Sequence, residues 1–196
     1  MREHIRPTLT LLAAFTVLTG LIYPLVVTAV AQLAFPHQAN GSLIVQDGHR
    51  LGSELIGQQF DDPRYFWGRP SATPDCPYNA AAGSGRNWGP LNPALKAAVA
   101  QRIEALRRAD PSNAAQIPVD LVTASASGLD PHLSPAAARY QTPRVARLRG
   151  LPPERVQALV AQCTEPRQWG FLGEPRVNVL QLNLALDGAR SPSARR

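Results

Sequence analysis

The chain has 196 residues, 44% of them hydrophobic and 17% charged, and its formal net charge is +6. This size accommodates one globular domain with an appendage, and 19 prolines and 14 glycines leave room for few long helices. The two cysteines, Cys76 and Cys163, lie far apart without a CxxC or Cys/His cluster, which argues against a structural zinc site. A disulfide between them and two separate thiols both fit this spacing.

The N-terminal segment is apolar enough to cross a membrane. Residues 7–36 contain no charged side chain, and residues 8–35 exceed the roughly 20 residues that span the hydrocarbon core. Pro24 would interrupt a soluble helix, but in a bilayer neighbouring helices satisfy the freed backbone groups, so we expect a kinked span packed against a partner. An A-x-A sequence at residues 29–31 imitates a signal-peptide cleavage site, but the apolar stretch before it is too long for one. A transmembrane anchor is therefore favoured over a cleaved signal.

The charges that flank this span set its predicted orientation. Arg2 and Arg6 precede it, whereas the first arginine or lysine after it is Arg50. By the positive-inside rule, residues 1–7 lie in the cytoplasm and residues 36–187 form an extracytoplasmic domain anchored in the inner (plasma) membrane. This placement makes the lipid bilayer a partner and argues against nucleic acid.

The first part of the domain combines a hairpin, a long loop and helices. Two apolar runs around Asp47-Gly48 indicate a β-hairpin. Residues 60–93 contain many prolines and glycines together with six aromatic side chains, which is typical of an ordered loop. N-cap residues and prolines at a first helical position predict three helices, over residues 93–110, 135–149 and 153–164.

The remaining segments complete an α+β domain. We predict a short β-like run at residues 117–123 and a turn at residues 125–131. In residues 177–186 leucines alternate with polar or small residues, so a strand is favoured over a helix. Residues 188–196, rich in Ser and Arg, are expected to be disordered. The predicted fold class is α+β, with a single N-terminal transmembrane helix followed by one small extracytoplasmic domain.

Catalytic motifs are weak in this sequence. The glycine cluster at residues 83–89 lacks the lysine and the spacing of a phosphate-binding loop. Ser125 or Ser127 could act with His132 in a membrane-anchored serine hydrolase, but the GxSxG motif is absent. Asp130 and His132 could donate two metal ligands, yet no further pair lies at metal-site spacing. We therefore predict no catalytic, cofactor or metal site, and keep the hydrolase and a ligand-binding module that presents the aromatic loop as alternatives.

Several long motifs resemble one family in the same order along the chain. They are GSELIGQQF at residues 52–60, YFWGRPSA at 65–72, NWGPLNP at 87–93, PVDLVTASASGLDPHLSPAAA at 118–138 and LGEPRVNVLQLNLALD at 172–187. Over nearly its whole length the chain is similar to the KdpC family, the C subunits of the Kdp potassium-transporting P-type ATPase. The resemblance covers the single span and continues to residue 187.

The resemblance implies a non-catalytic accessory subunit of a high-affinity, ATP-driven potassium uptake pump. Its implied partners are a channel-like potassium-binding subunit, a P-type ATPase subunit and a small single-span subunit, so ATP and potassium act in the complex. The family is also described as a catalytic chaperone that raises the ATP affinity of the ATPase subunit, and ATP binding is associated with it. That role conflicts with an extracytoplasmic domain, which cannot touch cytoplasmic ATP.

Exposed loops on a rigid domain are the usual place for recognition. We therefore predict that partner contacts involve the span and two loops, one at residues 87–92 and one at residues 125–132. The candidate interface residues are Pro24, Asn87, Gly89, Pro90, Asn92, Ser125, Ser127, Gly128, Asp130 and His132.

Overall fold

The computed structural model describes residues 2–189. The chain forms two compact units, Met1–Leu51 and Gly52–Arg196. The first contains a long apolar helix and most of a hairpin, and the second contains mixed helices and short strands. The predicted fold class, α+β after one N-terminal apolar helix, is confirmed, while the side of the membrane on which each part lies stays a prediction.

Unit 1 is dominated by a helix that is long and apolar enough to cross a membrane. It comprises α1 (Arg2–Val17), a π-helical turn (Leu18–Ile22) and α2 (Tyr23–Ala34), and the short α3 (Pro36–Ala39) follows. The candidate span Glu3–Ala34 covers 32 residues, and an 18-residue window within it has a mean hydropathy of 2.1. The π turn ends at Ile22, two residues before Pro24, and Tyr23 N–H donates to the Leu18 carbonyl. Because proline lacks an N–H and crowds the preceding turn, the wider π turn accommodates it without breaking the helix.

A β-hairpin follows, as the sequence predicts. Its strands are β1 (Leu43–Gln46) and β2 (His49–Ser53), which form a two-stranded sheet. The turn residues Asp47 and Gly48 have φ angles of 51° and 78°. Two consecutive positive φ values are the geometry that a two-residue hairpin turn requires.

Unit 2 contains four helices, three short strands and one 3₁₀ turn within the described residues. In chain order they are α4 (Pro93–Ala109), the 3₁₀ turn (Val119–Leu121), β3 (His132–Leu133), α5 (Pro135–Arg149), α6 (Pro153–Gln162), β4 (Thr164–Glu165), β5 (Arg176–Asn178) and α7 (Val179–Gly188). The antiparallel sheet has the order β3-β5-β4, with Leu133 and Thr164 both paired to Val177. The three predicted helices are confirmed, because Asn92 and Ser134 cap α4 and α5 and a proline opens each of the three.

Two secondary-structure predictions are wrong. The predicted β-like run at residues 117–123 contains the 3₁₀ turn (Val119–Leu121) and no strand. Residues 177–186 are mostly helical, because only β5 is extended and α7 begins directly after it. Asn178 accounts for the change, since its side chain accepts a hydrogen bond from Gln181 N–H at 3.1 Å and so caps a helix. The side chains that α7 buries include Val179, Leu182 and Leu186, at helical spacing.

Two further predictions concern the C-terminal residues and the cysteines. Of the predicted disordered tail at residues 188–196, Gly188 belongs to α7, and residues 190–196 lie outside the described residues. Both cysteines are free thiols, Cys76 exposed and Cys163 half-buried, so the disulfide alternative is not realised.

The hydrophobic core of unit 2 draws on its helices, on β5 and on the long loop. Its fully buried members include Val145 of α5, Val156 of α6 and Leu182 of α7. Phe66 and Trp67 of loop 60–93 belong to the same cluster, with exposed fractions of 0% and 8%. Full burial of a large apolar side chain contributes roughly 1.5–3 kcal/mol, so the ordered loop is part of the core.

Candidate partner interface

One of the two predicted interface loops, residues 125–132, contacts residues 68–85 of the long loop, whereas the other, residues 87–92, takes no part in this contact. We call the contact of residues 68–85 with residues 124–132 the loop junction. Ser84 N–H donates to the Ser127 carbonyl at 2.8 Å, and the Ser71 hydroxyl donates to the Gly128 carbonyl at 2.7 Å. The same Ser71 oxygen accepts a hydrogen bond from Tyr78 N–H at 2.9 Å. Short polar side chains and the backbone therefore hold the two loops against each other.

Two glycines allow this close approach. A Cβ atom at Gly85 would lie 2.5 Å from the Ala126 carbonyl oxygen. A Cβ atom at Gly128 would lie 2.7 Å from the Ser84 carbonyl oxygen, and Gly128 also has a φ of +69°. Both obstacles are backbone atoms, which cannot rotate away, so a larger residue at either position forces the loops apart.

An ion-pair network lies within the junction. Arg69 Nη1 is 3.0 Å from Asp130 Oδ2, and Asp130 Oδ1 accepts a hydrogen bond from His132 N–H at 3.0 Å and lies 3.4 Å from His132 Nδ1. Burial raises the pKa of Asp130, but the hydrogen bonds from His132 and Arg69 together outweigh it and leave that pKa below its ordinary value. The Tyr78 hydroxyl donates to the Arg69 carbonyl at 2.7 Å, and burial raises the pKa of Tyr78 to about 12.

The serines of this region close the turn. Ser125 is buried, and its Oγ accepts a hydrogen bond from Gly128 N–H at 2.9 Å. Ser127 Oγ accepts one from Leu129 N–H at 3.2 Å. Within residues 2–189 neither hydroxyl is hydrogen-bonded to His132, although a serine nucleophile needs its base at that distance. The hydrolase alternative is therefore not favoured.

A cavity of about 520 Å³ opens beside the loop junction. One wall is a face of α4, and the others come from residues 85–88 and residues 122–126. Arg86 and Trp88 both line this cavity, and the guanidinium carbon of Arg86 lies 4.8 Å from the centroid of the Trp88 ring. We call this space the α4 cavity; its size is in the range of pockets that bind small molecules or side chains of a partner.

The predicted interface residues separate into four groups. Asn87 and Ser125 line the α4 cavity. Ser127, Gly128, Asp130 and His132 lie in the loop junction, whereas Gly89 and Pro90 are exposed and Asn92 caps α4. Pro24 lies in α2 of the other unit. That any of these residues touches a partner stays a prediction.

Sequence reasoning missed an exposed aromatic turn at residues 167–174. Trp169 and Phe171 are 85% and 67% exposed, and their ring centroids are 6.5 Å apart. Arg167 and Glu174 form an ion pair at 2.7 Å that closes the base of the turn. Two aromatic residues around a glycine, between opposite charges, are the sequence signal that could have indicated it.

Comparison with known proteins identifies the family. The family model described as "K+-transporting ATPase, c chain" matches residues 5–188. The chain is 68% identical to the potassium-transporting ATPase KdpC subunit of Variovorax paradoxus, over 96% of this chain and 98% of that protein. It is 65% identical to the KdpC subunit of Methylococcus capsulatus, over 97% and 100%, and 59% identical to that of Burkholderia cenocepacia, over 97% and 99%. The chain therefore belongs to the KdpC family of potassium-transporting ATPase subunits.

Proposed function

We propose that this chain is a non-catalytic accessory subunit that assembles and stabilises a potassium-transporting ATPase in the inner membrane. Its proposed partners are the channel-like potassium-binding subunit, the P-type ATPase subunit and the small single-span subunit of that complex. The observation that carries the proposal is the loop junction, whose serines and charged side chains bond to the protein's own backbone and to each other. Such a surface has a fixed shape suited to recognition, with a cavity beside it.

The orientation is part of the proposal. With residues 1–7 in the cytoplasm and unit 2 outside, neither ATP nor the phosphorylated site of the ATPase subunit meets unit 2 directly. A chaperone effect on ATP affinity then acts through the assembled complex, by a shift between its conformations.

The exposed thiol of Cys76 offers a direct test of orientation, with Cys163→Ala used to remove the other thiol. A membrane-impermeant maleimide added to spheroplasts is expected to label Cys76 to the same extent as in lysed cells. Labelling only after lysis contradicts the proposed orientation.

The test of function uses the tagged full-length chain, co-expressed with the other Kdp subunits and purified in a mild detergent. We expect it to copurify with the P-type ATPase subunit, and potassium-stimulated ATP hydrolysis to be lost when the chain is omitted. A monomeric chain without partners, or an ATPase whose activity and subunit content are the same without it, contradicts the proposed function.

A further inference from the structure

The α4 cavity combines apolar walls with positive charge. Among the described residues that line it are two arginines, Arg86 and Arg102, and no aspartate or glutamate. Trp88, Leu95 and Val122 supply much of its apolar surface. A cavity with this lining favours a ligand that carries an apolar group and a negative charge.

Arg102 is held in place without a direct ion pair among the described residues. Its Nε donates to the Leu121 carbonyl and its Nη2 to the Gly68 carbonyl, each at 3.1 Å, and its guanidinium lies 5.3 Å from the Trp67 ring centroid. Within residues 2–189 no carboxylate oxygen lies within 4.0 Å of the Arg102 guanidinium nitrogens, the distance that defines an ion pair. Burial lowers the pKa of Arg102, and the charges of Tyr78 and Asp61 offset this effect only in part.

Several other arginines of unit 2 do form an ion pair with a carboxylate. Arg69 pairs with Asp130 at 3.0 Å, and Arg149 pairs with Asp187 at 2.8 Å. Within residues 2–189 the two cavity arginines have no carboxylate partner. The buried Arg144 of α5 also lacks one, but its guanidinium donates to Gln141 Oε1 and lies over the Trp67 ring inside the core. The side chain of Arg86 is exposed and stacks on Trp88, so it can turn toward an incoming anion.

We propose that the α4 cavity receives a short acidic and apolar segment of another Kdp subunit. An apolar side chain of that segment packs against Trp88 and Leu95, and an adjacent Asp or Glu carboxylate pairs with Arg102 and Arg86. Arginine suits this role because its planar guanidinium binds a carboxylate through two parallel hydrogen bonds. The inference rests on the proposed function, since it takes the occupant from the same complex.

The first test reverses the charge at the exposed cavity arginine in the full complex. Arg86→Glu places two negative charges face to face, so we expect the fraction of chain retained with the other subunits to fall by about tenfold or more. The matched control is Arg155→Glu, an exposed arginine on α6 outside the cavity, which is expected to keep that fraction within about twofold. Equal retention of both variants overturns the inference.

A second test identifies the occupant without relying on charge. Trp88 is replaced by the photoreactive residue p-benzoyl-phenylalanine, the assembled complex is irradiated in its membrane, and cross-linked peptides are mapped by mass spectrometry. We expect one segment of another Kdp subunit, with an Asp or Glu within about three residues of the cross-link. A neutral or basic segment, a cross-link to lipid, or no cross-link in an intact complex overturns the inference and leaves the proposed function standing. Failure of the wild-type complex to form overturns both.

Discussion

The two parts of the loop at residues 60–93, which we call its inner and outer halves, differ in composition and in how they are held. Residues 60–68 contain four of its six aromatic residues, and residues 69–93 contain five of its six prolines. In the inner half, residues 60–68, the backbone of Phe66 and Trp67 is held by two buried amide side chains. Asn183 accepts from Phe66 N–H at 2.9 Å and donates to its carbonyl at 3.0 Å. Gln141 does the same for Trp67, also at 2.9 and 3.0 Å. These amides replace the neighbouring strand that a buried extended segment normally requires.

The outer half, residues 69–93, is held mainly by its own short side chains and by the loop junction. Ser71 accepts from Tyr78 N–H, and Thr73 Oγ1 donates to the Cys76 carbonyl at 2.7 Å. Tyr78 and Trp88 are half-buried, and the segment ends beside the α4 cavity. An irregular segment can therefore join the core when side chains distant in sequence form hydrogen bonds to its backbone. It stays at the surface when its own neighbouring side chains form those hydrogen bonds.

The largest predicted effect comes from removing the hydrogen bonds that hold the backbone of the inner half. Asn183→Leu keeps the volume of a buried side chain but leaves the N–H and the carbonyl of Phe66 unsatisfied. Each unsatisfied buried group costs about 1–3 kcal/mol, so we expect a loss of about 3 kcal/mol in the free energy of unfolding. The measurement is urea unfolding of the full-length chain in detergent, followed by tryptophan fluorescence, because all three tryptophans lie in unit 2.

Gln181→Leu on the same helix is the matched control for this substitution. Gln181 is only half-buried, and no hydrogen bond of its side chain occurs among the described residues. Its replacement is expected to change the unfolding free energy by less than about 0.5 kcal/mol. A similar loss in both variants would mean that the amide of Asn183 does not hold the inner half.

A smaller effect is expected where the outer half meets the loop junction. Gly85→Ala places a Cβ atom 2.5 Å from the Ala126 carbonyl, so the loops must separate. We expect a loss of about 2 kcal/mol in unfolding free energy and weaker retention in the Kdp complex. Gly188→Ala at the end of α7, outside the predicted interface, is the control, because nothing lies within 4 Å of the added methyl group. A stable Gly85→Ala protein that assembles normally contradicts the view that this contact shapes the interface.

The sequence predicts the elements whose signals are local. Helices α4, α5 and α6 each begin at a proline, and Asn92 and Ser134 provide two of the caps, so they are confirmed nearly to the residue. The turn at Asp47-Gly48 is equally local. Helix α7 was missed because alternating leucines suggested a strand, whereas the Asn178 cap and burial at helical spacing determine the fold there.

The candidate site depends on contacts between distant segments, which the sequence does not reveal. Ser84 and Ser127 are 43 residues apart and hydrogen-bonded, and Arg102 reaches the cavity from a helix that the sequence marks only as amphipathic. The prolines and glycines of the two loops correctly indicate irregular structure. They carry no information on which loop meets which, or on the charge of the cavity beside them.

The smallest predicted effect concerns how the stability that each half contributes depends on pH. The amides that hold Phe66 and Trp67 are neutral, whereas the outer half depends on the ion pair of Arg69 with Asp130. Because the pKa of Asp130 is lowered in the folded protein, its contribution is complete above its ordinary pKa near 4 and is lost as the pH falls through the folded value. Asp130→Asn is therefore expected to cost about 1 kcal/mol at pH 7, since both partners are partly exposed.

Urea unfolding of the wild type and of Asp130→Asn between pH 7 and pH 2.5 measures this difference. We expect the gap between the two proteins to narrow as the pH falls below about 4. Hydrogen bonds from Arg64 lower the pKa of Asp62 to about 2, but Asp62 is present in both proteins, so its titration cancels in the difference. A gap that stays constant over this range would mean that Asp130 acts through the shape of its turn and that its charge does not stabilise the outer half.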